Sequence, residues 1–384
     1  MAREVGVGVF LAIRELGFAR TRFGLMAAVV ALIAVLMVML SGLSVGLVND
    51  GVSGLKRLPV TSFAFEEGVQ HDSAFSRSVV DLAAVDVWAG RPGVADAAPY
   101  GNVLVNAKSD RGVDIDLALF GILPTSFLSP AVAEGERLGA PNGIVVSSTA
   151  ADAGLRLGDT VTLDRLGTEL TVVGVLGEQH TFGHVDVAYV PLETWQAVHA
   201  GARPGEQVPV RARQEITAVA VRADPGQTVD LAGGDRAAGT ESLTLEQSFG
   251  ASPGYTAETT TLQMIQVFLY AISALVVGAF FAVWTIQRTH EIAVLRAMGA
   301  STGYVLRDAL GQALVLLVLA VGLGLAIGVG VGALIGGGGV PFALSAPSVA
   351  VAAVALVVLG LVGAAAAIVR IVAIEPATAL GAHR

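Results

Sequence analysis

Long uncharged apolar runs alternate in this chain with one long stretch in which apolar and polar positions are mixed. Uncharged runs cover 23–48 and 259–287, and a third, at 309–369, is interrupted by the helix-breaking sequence GGGGVPFALSAPS. A bilayer core about 30 Å thick is crossed by roughly 20 residues of helix. The pattern therefore predicts four membrane-spanning helices, at 23–48, 260–287, 308–335 and 348–370.

The mixed stretch at 49–259 predicts a folded α+β domain with its own core. Its β-branched runs, such as NGIVVSS, DTVTLDRLGTELTVVGVLG and VDVAYVPL, are typical of strands. Helix candidates lie at 78–88, 150–155 and 192–199. Residues 227–258 have weak periodicity and are interpreted as the return connection to the second span.

Composition and charge agree with a membrane protein and indicate its orientation. Of the 384 residues, 54% are hydrophobic and 14% are charged, against roughly 25% charged residues in soluble domains. The chain has no cysteine, which excludes a disulfide scaffold, and its net charge of −9 argues against a nucleic-acid partner. Nine arginines and five acidic residues flank the spans on one side, whereas residues 50–258 carry 14 basic and 27 acidic residues. By the positive-inside rule both termini are cytoplasmic and the large domain lies outside.

The predicted fold class is therefore an α-helical membrane protein with four transmembrane helices and one large extracytoplasmic α+β domain between the first and the second. The remaining predicted segments are a cytoplasmic interfacial helix at 1–22, a cytoplasmic helix and loop at 288–307, a short outer loop at 336–347 and a cytoplasmic tail at 371–384.

The cytoplasmic stretch between the second and third spans, QRTHEIAVLRAMGASTGYVLRDALGQ, is richer in charge than its surroundings. Ile292, Leu295 and Met298 recur at three-residue spacing, and Gly299 stands where a C′ residue ends a helix. An apolar stripe in the cytoplasm requires a partner that covers it. The alternative is a helix that lies on the bilayer surface.

The third span carries Gly324, Gly328 and Gly332 at G-x-x-x-G spacing, which favours close packing against another helix. The alternative is the ordinary tolerance of membrane helices for glycine.

The chain shows no catalytic constellation and no nucleotide-binding loop of the G-x-x-x-x-G-K-[ST] type. His180 and His184 have H-x-x-x-H spacing, but they lie in predicted strand and turn, so we predict no metal site and a structural role for His184. No charged residue interrupts a span, which argues against an ion-coupled carrier.

The run HEIAVLRAMGAS and the tail RIVAIEPATALGAHR resemble the signatures of FtsX/MacB-type ABC transporter permeases. The plan of four spans with one exported domain extends this resemblance over the whole chain. The sequences LAIRELGFARTRFGLMAAVVALIAVLMVMLSGLSVGL and FGHVDVAYVPLETWQ resemble in particular the DevC/HrtB branch, although GHVDV stands at 183–187 where members of that branch often have Ser-His-x-Pro-Val.

The resemblance implies a multi-pass protein of a bacterial plasma membrane that works as a permease dimer with two separate ABC ATPase subunits. No cofactor is then bound by this chain, and ATP and Mg belong to the partner ATPase. The residues that match the family's ATPase-coupling element are Glu291, Ile292, Leu295, Arg296, Met298 and Gly299.

The function implied is that of a permease subunit of an ABC-type exporter, which expels a hydrophobic or amphipathic substrate, haem first among them, from membrane lipid. The predicted substrate-binding residues are Lys56 and Arg57 beyond the first span, with Tyr255 and Met264 at the mouth of the second. Ordinary surface, interface and packing roles remain open for all four. The alternative functions are an FtsX-like transducer that activates an extracellular enzyme and a permease for lipid or lipoprotein export.

Overall fold

A computed structural model describes residues 20–287, 294, 298–299, 301–336 and 340–372 of the chain. Its α-helices are α1 (Arg20–Lys56), α2 (Ala74–Arg77), α3 (Ala84–Ala89), α4 (Ser148–Asp152), α5 (Leu192–His199), α6 (Leu231–Ala238), α7 (Leu245–Ser248), α8 (Tyr255–Gln287), α9 (Thr302–Ile335) and α10 (Ala346–Val372). Its strands are β1 (Ser62–Glu66), β2 (Val80–Asp81), β3 (Val94–Ser109), β4 (Asp114–Ile122), β5 (Glu134–Gly135), β6 (Gly143–Val146), β7 (Thr160–Leu163), β8 (Glu169–Val175), β9 (Thr181–Phe182), β10 (Val185–Pro191), β11 (Glu215–Ile216), β12 (Ala218–Ala223) and β13 (Thr240–Thr244).

Among the described residues, helices α1, α8, α9 and α10 are long and apolar enough to cross a membrane. All thirteen strands found in the described part of the chain lie between α1 and α8. The predicted fold class, four spans with one large α+β domain between the first and second, is confirmed. The described residues divide into two compact units, an exported unit at Leu47–Thr259 and a membrane unit formed by the described parts of Met1–Gly46 and Thr260–Arg384.

Helix α1 is longer than a bilayer requires. Its 37 residues extend over about 55 Å, against a hydrocarbon core of about 30 Å. The helical geometry is interrupted at Val52 (φ −145°, ψ 16°), and the turns from Leu47 onward belong to the exported unit. Val52 and Leu55 are completely buried in the core of that unit. The helix continues beyond residue 48 because its last turns supply side chains to the domain core.

The four long helices share one apolar core within the membrane unit. Met37 of α1, Phe281 of α8, Leu317 of α9 and Leu356 of α10 are buried members of it. Near the cytoplasmic end of the unit the ring of Phe23 packs edge-on against Trp284, with ring centres 4.5 Å apart.

The glycines of α9 lie where neighbouring atoms come very close. A Cβ atom on Gly328 would lie 2.8 Å from Cβ of Val38 in α1, and one on Gly324 would overlap the α1 backbone. A Cβ on Gly332 would lie 2.8 Å from the ring of Phe342. The absence of side chains at this four-residue spacing is therefore what lets α9 approach α1.

The exported unit is built on an eleven-stranded sheet whose main path runs β13-β1-β12-β3-β4-β10-β6-β8-β5. Strand β7 pairs with both β3 and β8, so that β3, β4, β10, β6, β8 and β7 form a closed ring. Within this ring β10 runs parallel to β4 and β6 runs parallel to β8, whereas the other ring pairs are antiparallel.

Alternate residues of the strands face two different cores, as the two-residue period of a strand requires. Leu117 and Leu119 of β4 belong to one core, which also contains Trp195 of α5. Ala118 and Phe120 of the same strand belong to the other core, which contains the last turns of α1. This second core connects the spanning helix to the sheet.

Two of the local predictions need correction. The helix predicted at 78–88 is wrong at its start, because Val80–Asp81 pairs with Glu215–Ile216 as β2 and β11, and α3 begins only at Ala84. The segment 227–258 is more than a return connection. It carries α6 and the edge strand β13, which pairs antiparallel with β1.

Most of the other local predictions agree with the structure. Strands β6, β7, β8 and β10 lie within the three β-branched runs, and α5 coincides with the helix predicted at 192–199. The helix predicted at 150–155 is displaced, because α4 begins two residues earlier and ends three residues earlier, at Ser148–Asp152. The side chain of Ser147 caps its start by accepting a hydrogen bond from the Thr149 N–H.

Candidate functional site

The outer end of α1 is hydrogen-bonded to the segment 179–184, which contains β9 and the turn before β10. The hydroxyls of Ser53 and Thr181 are 2.7 Å apart, and the Thr181 N–H donates to Ser53 Oγ over 2.9 Å. The Gly183 N–H donates to the Gly51 carbonyl over 2.8 Å. These bonds, most of them buried, fix the last turns of the spanning helix to one hairpin of the exported unit.

Two of the predicted substrate ligands lie against one aromatic ring. Lys56 Nζ donates to Asn49 Oδ1 over 3.1 Å and lies 5.8 Å from the centre of the Phe249 ring. The ring of Tyr255, the first residue of α8, has its centre 6.2 Å from that of Phe249. Lysine and tyrosine therefore share a partly exposed aromatic surface in the exported unit.

The other two predicted ligands are not part of this arrangement. Arg57 Nε donates to the Gln179 carbonyl over 2.9 Å, and its guanidinium forms an ion pair with Glu178. Met264, which is 53% exposed, follows Tyr255 by nine residues in α8, which places it on the opposite side of the helix at 100° per residue. The role of these four residues in substrate binding stays a prediction.

His184 lies between two carboxylates. Its Nδ1 is 2.9 Å from Asp50 Oδ2, and its Nε2 is 3.0 Å from Glu258 Oε2. The three side chains come from α1, from the turn between β9 and β10, and from the first turn of α8. The sequence predicted only a structural role for His184 and gave no indication of either carboxylate partner.

A metal site is not formed by these groups. The two carboxylates approach different nitrogens of the ring, so the three side chains do not converge on one point. In the described part of the chain no group of three or more histidine and acidic side chains is arranged to hold a metal ion.

His180 is buried beside this cluster and is held as a neutral imidazole. Its Nδ1 is 2.9 Å from the Tyr189 hydroxyl, and its backbone N–H donates to Ser147 Oγ over 2.9 Å. Burial lowers the pKa of His180 to about 4, and the positive charge of Arg57 contributes in the same direction. Because His180 is buried as a residue and its ring has a hydroxyl partner, it belongs to the domain core and is not available to a ligand.

We expect the exported unit to lose stability in mild acid because of His180. The pKa is lower in the folded protein than its ordinary value of 6.5, so the contribution to stability is complete above that value and is lost as the pH falls towards about 4. The loss amounts to about 3 kcal/mol. Chemical denaturation of the purified protein at a series of pH values measures it. His180→Gln, which does not titrate, should flatten this pH dependence.

The matched control is His71→Gln, which removes an exposed histidine that pairs with Glu241 at the surface. This variant should keep the acid sensitivity of the parent protein. An equally acid-sensitive His180→Gln variant would contradict the assignment.

Most of the predicted ATPase-coupling residues, namely Glu291, Ile292, Leu295 and Arg296, lie outside the described residues. At the end of this stretch the Met298 N–H donates to the Val294 carbonyl over 3.0 Å, a helical hydrogen bond. Gly299 has φ +99°, a backbone conformation that favours glycine. Met298 is 74% exposed. The coupling role of the six residues stays a prediction.

An open apolar groove lies between α1 and α8 in the membrane unit. Its volume is about 330 Å³, and it is lined by Leu25, Met26, Val29, Val276, Phe280, Val283, Trp284 and Gln287. These residues belong to the half of each helix that is nearer the cytoplasm. The groove is thus distinct from the predicted substrate rim at the outer ends of the same helices.

Four apolar spans together with one folded exported domain define a multi-pass membrane protein, and comparison with known proteins specifies its family. Residues 21–235 match the MacB-like periplasmic core domain, and residues 264–376 match the FtsX-like permease C-terminal family. The chain belongs to the FtsX/MacB family of ABC transporter permeases.

Several relatives align with the chain over nearly its whole length. A candidate hemin transport system permease protein, HrtB, of Staphylococcus epidermidis is 23% identical over 371 residues, covering 97% of this chain and 99% of that protein. An uncharacterised ABC transporter permease of Mycobacterium tuberculosis is 25% identical over 383 residues, with coverage of 97% and 99%.

Solved structures resemble the chain over about half its length. The extracellular domain of the ABC-type transporter YknZ from Gram-positive bacteria is 14% identical, with a TM-score of 0.34, and covers 48% of this chain and 98% of that structure. The periplasmic region of MacB from Actinobacillus actinomycetemcomitans is 12% identical, with a TM-score of 0.36 and coverage of 49% and 89%.

Proposed function

We propose that this permease is the membrane subunit of an ABC-type exporter that expels a hydrophobic or amphipathic substrate, with haem as the leading candidate, from the membrane. Its energy comes from ATP and Mg bound by a separate ATPase subunit, and two copies of the permease act together. The chain itself performs no chemistry and binds no cofactor. Its task is to transmit motion.

The observation that carries this proposal is the continuity between α1 and the exported domain. The last turns of α1 are bonded to the segment 179–184, and their side chains Val52 and Leu55 are part of the domain core. A movement of the outer end of α1 is therefore passed to the sheet, because these contacts would have to break for the sheet to stay in place. Densely packed elements of this kind move as rigid bodies.

Two further observations support an amphipathic cargo. The relatives from Staphylococcus are designated as candidate hemin transport permeases and align over 97% of this chain. In the exported unit Lys56 and Tyr255 both lie close to the Phe249 ring. An ammonium group can pair with a propionate, and a tyrosine oxygen is among the axial ligands of haem iron.

The test is a titration of the permease–ATPase complex in lipid nanodiscs with haemin. We expect a change in haemin absorbance and a rise in ATP hydrolysis. In Tyr255→Ala and Met264→Ala the apparent affinity should fall by roughly tenfold or more, as for loss of an interaction worth about 1.4 kcal/mol.

The matched control is Val267→Ala, on the same helix and 63% exposed, which should behave like the parent protein. ATP hydrolysis that responds to lipid or lipoprotein but not to haemin would replace haem by a lipid cargo. A complex that responds to none of them, but retains a secreted enzyme, would favour the FtsX-like transducer instead.

A further inference from the structure

Both ring nitrogens of His184 face carboxylate oxygens, and this arrangement is satisfied best when the ring is doubly protonated. Asp50 Oδ2 lies 2.9 Å from Nδ1, and both oxygens of Glu258 lie 3.0 and 3.2 Å from Nε2. A neutral imidazole has a single N–H and can donate to only one carboxylate. The doubly protonated imidazolium donates to both, and its positive charge lies between two negative charges.

The two carboxylates have different alternatives when the ring is neutral. Asp50 also accepts a hydrogen bond from Gln179 Nε2 over 3.2 Å. Among the described residues, His184 is the hydrogen-bond and ion-pair partner found for the Glu258 side chain. Loss of the second proton from the His184 ring would therefore weaken the contact with Glu258 more than the contact with Asp50.

The backbone of His184 is held in a conformation that side chains rarely adopt. Its φ of +66° lies in the left-handed region, where the Cβ atom of a non-glycine residue comes too close to the following carbonyl oxygen. The turn places the ring next to the end of α1 and the start of α8. Gly51 packs against the edge of the ring, since a Cβ atom on Gly51 would lie 3.7 Å from His184 Cε1. The side chain is thus positioned by the hairpin and does not sample the solvent freely, since about two thirds of it is covered.

The charged and titratable groups around the ring come from three elements. Helix α1 contributes Asp50, Lys56 and Arg57, of which Lys56 is bonded to Asn49 and Arg57 to Glu178. The loop before β9 contributes Glu178 and His180, β10 contributes Asp186, and α8 contributes Tyr255 and Glu258. Both lysine and arginine are thus engaged elsewhere, and the neutral His180 adds no charge.

Burial by itself lowers the pKa of His184, but the hydrogen bonds and negative charges of Asp50 and Glu258 outweigh it and raise the pKa above its ordinary value of 6.5. We call the paired hydrogen bonds from His184 to Asp50 and Glu258 the bridge. Because the pKa is raised, the bridge is complete below pH 6.5 and is lost as the pH rises through the raised pKa.

We propose that His184 is a positioning residue for export: as an imidazolium it holds the outer end of α1 and the first turn of α8 on one hairpin, and it releases Glu258 when it loses its proton. The transport consequence rests on the proposed exporter function. The bridge itself does not, because it can be measured without cargo or ATPase.

The test uses spin labels on the full-length permease in nanodiscs. The chain has no cysteine, so labels attach only to Ala153→Cys, at the end of α4, and Thr256→Cys, in the first turn of α8; both sites are exposed. We expect a narrow distance distribution at about pH 6, below the ordinary histidine pKa, and a distribution that broadens as the pH is raised towards about 9.

Three variants test whether the charge on His184 controls the distance distribution. His184→Gln should give the broad distribution at both pH values, and His184→Arg, which keeps the charge, should give the narrow one at both. Glu258→Gln should shift the transition to lower pH, because one negative charge that favours the proton is removed. The control His71→Gln should follow the parent protein.

A parent distribution that does not change between these pH values, or a His184→Gln variant that still titrates like the parent, would overturn the proposal. In the complex with its ATPase, the rate of substrate-stimulated hydrolysis should show the same pH transition and should lose it in His184→Arg. If no cargo is ever found, the distance measurement still decides the bridge, so failure of the exporter function and failure of the bridge are distinguishable.

Discussion

Replacing Leu295 with aspartate is expected to abolish association of the permease with its ATPase subunit while the protein still enters the membrane. The predicted coupling helix presents Leu295 on an apolar stripe, and burial of a leucine side chain contributes about 1.5–3 kcal/mol. A carboxylate at that position would also have to be desolvated. Together these effects should weaken the complex by more than about a hundredfold. Co-purification of the two subunits from membranes measures the loss, and Arg296→Asp should act in the same direction.

Two controls separate docking from folding. Leu295→Met keeps an apolar side chain of similar volume and should retain the ATPase. Lys108→Asp makes a comparable charge change on the exported sheet, where the lysine is half exposed and pairs with Asp114, and should have no effect on association. Normal association of the Leu295→Asp permease would refute the docking role of the helix, which rests on the sequence pattern and on the family's match at 264–376.

The architecture could be predicted because it is encoded in local composition. A run without charge over twenty or more residues has few alternatives to a membrane helix, and the arginine bias decides the side of each end. The strand at 185–191 and the helix at 192–199 could also be predicted from local sequence, because the period of their apolar residues and their flanking residues specify them. The same reasoning did not find β13 at Thr240–Thr244, because its five residues are mostly polar and pair only with a strand more than 170 residues earlier.

The cluster at the outer end of α1 could not be predicted for a similar reason. His184 is separated from Asp50 by 134 positions and from Glu258 by 74, and no short motif joins them. The one available signal was that a single acidic residue follows the first span closely and another precedes the second. Those charges are ordinarily solvated at a membrane surface, and only the register of the β9–β10 hairpin places a histidine between them.

Replacing Gly328 with leucine is expected to disrupt the packing of α9 against α1. Even a Cβ atom at this position would lie 2.8 Å from Cβ of Val38, closer than real Cβ atoms approach, and a tight 3.1 Å from its Cγ1. Because the obstacle is a stiff β-branched side chain next to the helix axis, the helices must separate. Overpacking of this kind costs about 1–3 kcal/mol or more, which lowers the midpoint of thermal unfolding by roughly 5 °C. Thermal denaturation in detergent measures the shift.

The same helix supplies the matched control two residues away. Gly330 has no neighbouring atom within 4 Å of its would-be Cβ and is exposed, so Gly330→Leu adds the same mass to the same helix without a clash. It should leave the unfolding midpoint unchanged, and it cannot be less favourable for helix formation than glycine. If both variants were equally stable, glycine in α9 would reflect tolerance rather than packing. If only Gly328→Leu were destabilised, the close approach of α9 to α1 would be required for the stability of the membrane unit.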